Sequence, residues 1–145
     1  MSDIVSDERA ITNLMARYAF LIDDGDYAGA GQLFSHGELT LNDNPPASGA
    51  DAVEAFLIRA LKTYDDGTPR TRHVTSNIIL EIEEPPRGAS ACSYVTTFQA
   101  TEGFPLQPIA CGRYNDRFEK VDGRWLFRSR QIVTGLVGDL KHHRR

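Results

Sequence analysis

Helical periodicity as far as Tyr64, four long segments of strand-like alternation beyond it, and an Asp122-Gly123 turn between the last two predict an α+β domain. Helices gathered at the front of a chain and strands at its back pack as a helical layer on one face of an antiparallel sheet. A chain of 145 residues can bury its own core without disulfide or metal staples. It contains no internal repeat, low-complexity stretch or linker, so residues 1–145 read as a single domain.

Ile11, Leu14, Met15, Tyr18 and Ile22 recur at helical spacing and predict an amphipathic helix over residues 7–24. Ser6 or Asp7 serves as its cap, Asp7 and Glu8 complement its positive end, and Gly25 terminates it. A second, short helix is expected over residues 27–34, where Ala28, Gly29, Ala30 and Gly31 permit close packing but weaken helicity. Glu38-Leu-Thr-Leu41 alternates as a short strand and is stopped by Asn42-Asp-Asn-Pro-Pro46. Val53, Phe56, Leu57, Ala60 and Leu61 form one face of a third helix over residues 49–64, broken by Asp65-Asp-Gly-Thr-Pro69.

Four strands follow, over residues 73–82, 89–100, 108–121 and 124–133. Glu83-Glu-Pro-Pro-Arg-Gly88 closes the first, and Asp122-Gly123 joins the last two through a type I′ hairpin. On the third strand, alternation puts Ala110, Gly112, Tyr114, Asp116 and Phe118 on one face, and the small pair leaves room for a ligand. Trp125 is assigned to the core.

The charge balance narrows the possible partners. A net charge of -4 with both signs interspersed does not provide the basic surface that displaces phosphate counterions, so no nucleic-acid partner is expected. The one basic cluster, Lys141-His-His-Arg-Arg145, reads as part of a solvated tail over residues 138–145. The acidic start Met-Ser-Asp-Ile-Val lacks the features of a signal peptide, and no apolar run approaches the ~18 residues that span a bilayer. The expected location is cytoplasmic, with no membrane partner. Cys92 and Cys111 fall in strand-like segments and read as buried reduced thiols. No metal and no cofactor is expected, since the chain has neither a C-x-x-C pair nor a metal-spaced pair of histidines.

Chemistry concentrates in two stretches, Tyr18-Ala-Phe-Leu-Ile-Asp-Asp-Gly-Asp26 and Thr71-Arg-His-Val-Thr-Ser-Asn77. His73 falls inside an expected strand beneath the helical layer, whereas His36 precedes a turn and His142 and His143 lie in the expected tail. An imidazole titrates near neutrality, where a proton acceptor is most effective. A hydrogen-bonded core or surface histidine is the commoner role of such a residue, so its partner decides. Periodicity leaves Asp23 and Asp24 both open. Asp24 shares a flank with Arg17, while Asp23 lies beside Ala16 and Ala19, where a buried carboxylate needs a hydrogen-bond donor such as His73. Tyr18 offers a hydroxyl donor or a core aromatic. Tyr94, Tyr114 and Asn77 are the further substrate-binding candidates. With no Gly-rich phosphate loop, no G-x-S-x-G elbow and no metal-spaced His pair, what remains is proton transfer by side chains in an apolar pocket.

Taken together, Ile11-x-x-Leu-x-x-Arg-Tyr18, Asp23-x-Gly-Asp26, Leu33-Phe34, Arg72-His73, Gly112-x-Tyr-x-Asp-x-Phe118 and Asp122-Gly-Arg-Trp125 resemble the SnoaL-like group of the nuclear transport factor 2-like superfamily. The resemblance covers most of the chain and lies in the order and spacing of these motifs. It implies a cone of curved antiparallel sheet wrapped by three N-terminal helices, with an internal pocket, commonly as a dimer through the outer sheet face. Tyr18, Asp23 and His73 look like the matching positions in scytalone dehydratase and bile acid 7α-dehydratase, and Asp23 and His73 look like those in hexachlorocyclohexane dehydrochlorinase. That match implies an Asp-oriented His that removes a proton as water or chloride departs. Scytalone dehydratase carries a second histidine in the next strand, where this chain reads Ser93-Tyr-Val-Thr96.

The expected function is therefore a cofactor-independent, dehydratase-like lyase acting on a hydrophobic cyclic small molecule such as a polyketide, steroid or aromatic intermediate. His73 is its general base or acid, Asp23 the orienting group and Tyr18 the hydroxyl donor. A noncatalytic binding or oligomer-forming subunit is the alternative from another class, and an isomerase or cyclase could use the same pocket.

Overall fold

In the computed structural model, residues 4–83 and 88–145 are described, and they form three helices and a six-stranded sheet. The stop signal at residues 84–87 and the first three residues of the acidic start lie outside them.

Helix α1 (Ile4–Asp23) buries the predicted stripe of Ile11, Leu14, Met15, Tyr18 and Ile22. It begins one turn earlier than expected, which places Asp7 inside the helix instead of at its cap. Asp7 is buried, and its Oδ1 accepts from Trp125 Nε1 at 2.8 Å and Lys120 Nζ at 2.9 Å. The start of α1 is thereby tied to the hairpin that carries Trp125 into the core. At the other end, Gly25 adopts φ +77°, and a Cβ there would lie 1.9 Å from the Gly67 carbonyl oxygen. Both the left-handed conformation and this close approach require glycine. Asp26 then caps helix α2 (Tyr27–Gln32), accepting from Gly29 N at 2.8 Å.

Strand β1 (Glu38–Leu41) matches expectation, and β2 (Ala47–Ser48) is an addition too short to show alternation. Helix α3 (Ala50–Ala60) ends before the predicted limit, because Leu61 turns to extended backbone. The long strands are β3 (Thr71–Ile82), β4 (Gly88–Thr101), β5 (Phe104–Val121) and β6 (Arg124–Val137). Asp122 and Gly123 both take positive φ, as a type I′ turn requires.

The sheet order is β2-β1-β6-β5-β4-β3. The meander β3 to β6 is antiparallel as predicted, but β1 joins β6 in parallel, with Leu39 opposite Arg130, so the sheet is mixed. A strand delivered from the helical layer is not bound by the hairpin rule that reverses its neighbours. Register shifts in β3, β4, β5 and β6 bend the sheet around the helices. In β3 the shift falls between Ser76 and Ile79 and includes Asn77 at φ +56°. Thr71 and His73 point inward before the extra residue, and Leu80 and Ile82 pack on the core after it.

Residues 138–145 are not the solvated tail expected from their charge. They fold back over the end of α3: Lys62 N donates to His143 O, Arg145 N to Ala60 O, and Arg145 Nε to Ile58 O and Leu61 O. The Arg145 side chain satisfies carbonyls at the negative end of a helix, which is a reason for a basic residue there that composition alone does not reveal. Cys92 and Cys111 are free and partly buried. Among the described residues no helix is long and apolar enough to cross a membrane.

Candidate active site

The C-terminal turn of α1 and the first residues of β3 meet beneath the helical layer. Asp23 is buried there while Asp24 is exposed, which resolves the choice that periodicity left open. Asp23 Oδ1 lies 2.6 Å from His73 Nδ1 and accepts from Thr71 Oγ1 at 2.8 Å, and Oδ2 accepts from the His73 main-chain N–H at 2.8 Å. Three donors converge on one carboxylate. A carboxylate only accepts, so the proton of the neutral imidazole resides on Nδ1, and Nε2 carries the free lone pair.

His73 lies on the wall of a cavity of about 180 Å³. Leu41, Phe56, Leu57, Val95 and Ile132 make most of it apolar, and Tyr18, Tyr114, Thr97 and His143 add polar atoms. His73, Thr97 and Ala110 are opposite one another on successive strands and form a row across the wall. Gly112 also lines it, as alternation predicted, but the glycine serves the backbone: a Cβ there would lie 2.5 Å from Val133 O.

Tyr18 and Tyr114 are both buried, with rings edge to face at 6.1 Å. Both side chains border the cavity. Burial, partly countered by the nearby Arg130, pushes the Tyr18 pKa up to about 12, so its hydroxyl stays a donor. Burial likewise raises that of Tyr114.

Beneath these rings lies an ion pair not anticipated from the sequence. Arg130 and Asp116 are fully buried and joined by two bonds of 2.8 Å, and the Arg130 guanidinium carbon sits 3.7 Å from the Tyr114 ring centre and 4.5 Å from that of Tyr18. Burial opposes the Arg130 charge, but Asp116 outweighs it and holds the guanidinium pKa above its usual value. The signal available was Asp116 itself, a carboxylate on a predicted inward face that requires a cation. Its partner was hidden because the register shift between Arg117 and Phe118 changes which residues of β6 point inward.

Two expected substrate contacts lie elsewhere. Tyr94 is 44% exposed and lies on the opposite face of β4 from Val95 and Thr97, with Arg113 5.6 Å from its ring centre. Strict alternation excludes it from the cavity, since Ser93, Val95 and Thr97 are the buried residues there. Asn77 occupies the β3 bulge and is exposed; its role is conformational, because asparagine tolerates positive φ. Among the described residues no group of three or more His, Cys, Asp or Glu side chains is disposed to hold a metal ion.

Known proteins share this architecture. The sequence profile of the SnoaL-like domain matches residues 3–131. A protein of unknown function with a cystatin-like fold from Nostoc punctiforme superposes with a TM-score of 0.80 at 24% identity, covering 97% of this chain and 99% of its own. A protein from Novosphingobium aromaticivorans, described as a candidate scytalone dehydratase, gives 0.74 at 26% identity over 93% of this chain and 88% of its own. The protein LinA gives 0.72 at 19% identity over 94% and 91%. Comparison of the sequence with curated proteins finds no match.

Proposed function

The chain belongs to the SnoaL-like domain family, and on that premise we propose that it is a cofactor-independent lyase that dehydrates a small hydrophobic cyclic substrate. The observation that carries this reading is the 2.6 Å contact between Asp23 and His73 on the wall of an apolar cavity. The 26% identical neighbour described as a candidate scytalone dehydratase supports the reaction class.

In this mechanism His73 Nε2 takes a proton from a substrate carbon. The C–H electron pair becomes the new double bond as the C–O bond breaks. Asp23, held by Thr71 and by the His73 main chain, stabilises the imidazolium formed and keeps its ring in place. The imidazolium then returns its proton to the departing hydroxide, so water leaves and the base is regenerated. Tyr18 donates a hydrogen bond to the oxygen on which charge develops, which an uncharged hydroxyl in a largely apolar cavity does effectively.

Size sharpens the substrate class. A cavity of about 180 Å³ falls below the roughly 300–1,000 Å³ of pockets for drug-sized ligands. One or two fused rings suit it better than a steroid. Exposed Val74, Ile79, Tyr94 and Leu136 on the outer sheet face support a homodimer, since a soluble chain rarely leaves such residues together in water. Sedimentation would give twice the chain mass, and Leu136→Lys would shift it to the monomer.

To test the reaction, the protein is incubated with a panel of one- and two-ring hydroxy ketones and loss of water is followed by mass spectrometry. The parent converts a member of the panel, and His73→Ala, folded by circular dichroism, does not. Equal turnover by the two proteins would remove His73 from the mechanism.

A further inference from the structure

His143 belongs to the segment that closes the cavity, and its position is set by contacts along that whole segment. Gly138 N donates to Ile109 O, the buried Gln99 Nε2 donates to both Pro69 O and His142 O, and the Tyr64 hydroxyl also reaches His142 O. Packing of the His142 ring against Phe104 at 4.4 Å holds the next residue in place. With its backbone fastened on both sides, His143 lines the cavity beside Leu140 and Arg144. Its ring centre is 6.4 Å from that of His73, too far for direct bonding of the two imidazoles, so both rings face the same cavity without engaging each other.

The chemistry of the ring is unusual for a basic C-terminal segment. Its Nδ1 is buried and has no hydrogen-bond partner, a cost that folded proteins seldom leave uncompensated. Burial first, then the neighbouring His73 and Arg144, depress its pKa to about 4 against the opposing pull of Asp23. From α1, β3 and its own segment, the charged or titratable groups around it thus leave a neutral imidazole, which has one donor and one acceptor.

We propose that His143 is a second substrate-binding imidazole, which donates a hydrogen bond to an oxygen of the cyclic ligand, and that residues 138–145 are the strap that delivers it. The proposal rests on the reading of the cavity as the reaction site and adds a ligand group to it: the substrate carries a carbonyl or hydroxyl oxygen directed at the C-terminal strap. A neutral imidazole polarises that oxygen without competing with His73 for the proton, because its own basicity is too low.

The test uses a pair of unreactive probes, 1-indanone and indane, which share a ring system and differ in the oxygen. Binding to the full-length parent, His143→Phe and His143→Gln is measured by titration calorimetry, and the imidazole nitrogens are followed by NMR. 1-Indanone is expected to bind His143→Phe about tenfold more weakly than the parent, with recovery in His143→Gln, which keeps a donor and an acceptor. Indane binding should not distinguish the variants, and only the ketone should move the His143 nitrogen resonances. Equal ketone affinity for parent and His143→Phe, or unmoved His143 resonances, would overturn the assignment. Turnover by His73→Ala is a separate readout: if that variant stays active while the ketone effect holds, the lyase mechanism fails and the His143 contact stands.

Discussion

Asp23 holds His73 at two points, at the imidazole Nδ1 and at the main-chain N–H, so the side chain and the start of its strand are fixed by one carboxylate. A base oriented in this way has its tautomer chosen before substrate arrives, and little reorganisation remains for the reaction.

Asp23→Asn is the direct test of that relationship. The amide keeps the shape but loses the charge that stabilises an imidazolium, and its NH₂ group cannot accept from His73 and Thr71. Loss of kcat by roughly a hundredfold or more is expected, with KM little changed, because the carboxylate does not touch substrate. A parent-like kcat would show that Asp23 serves the fold alone.

The ion pair under the tyrosines predicts a loss of a different kind. In Asp116→Asn the buried Arg130 keeps its charge and loses the opposing one, which costs about 3 kcal/mol or more. Urea denaturation would measure it. Arg130→Met combined with Asp116→Leu should recover much of the stability, since no buried charge is left, while the floor beneath Tyr18 and Tyr114 is altered. A double variant as unstable as Asp116→Asn would show that the pair is needed for packing.

Gly25→Ala bears on how the sequence encodes the site. The substitution forces a left-handed alanine and puts its Cβ against the Gly67 carbonyl, two residues from Asp23. A destabilisation of at least about 2 kcal/mol is expected, read as a lower thermal midpoint. An unchanged midpoint would mean that the turn relaxes freely.

That turn was readable because glycine after a helical stripe has a local cause. The same holds for Asp122-Gly123, for the α1 face and for the inward side of β5, which all follow from spacing within one element. Asp23 was narrowed by its alanine neighbours, and it contacts His73 although 50 residues separate the two. What stayed hidden depends on relations between elements. The parallel docking of β1, the bulge that turns Asn77 outward and the one that turns Arg130 inward are set by register across strands, and alternation along one strand does not contain it. Tyr94 is the exception, because counting from buried Ser93 and Val95 would have placed it outside. The C-terminal segment misled through its charge: Arg145 looks solvated in sequence, yet its partners are carbonyls of α3.

The same segment makes stability depend on acid in a way that can be assigned to one group. Above pH 6.5 His143 is neutral in both folded and unfolded chains and imposes no penalty. As the pH falls below 6.5, the unfolded chain takes up a proton that the folded chain refuses until about pH 4, so stability declines across that window and then levels off. A shift of this size corresponds to a loss on the order of 1–3 kcal/mol. Carboxylates titrate in the lower part of the same range, so the measurement compares urea unfolding of the parent and His143→Gln at pH 7 and at about pH 4.5. The glutamine variant should lose less stability between the two conditions, because it has no proton to exclude. Equal losses would mean that His143 is protonated freely in the folded protein.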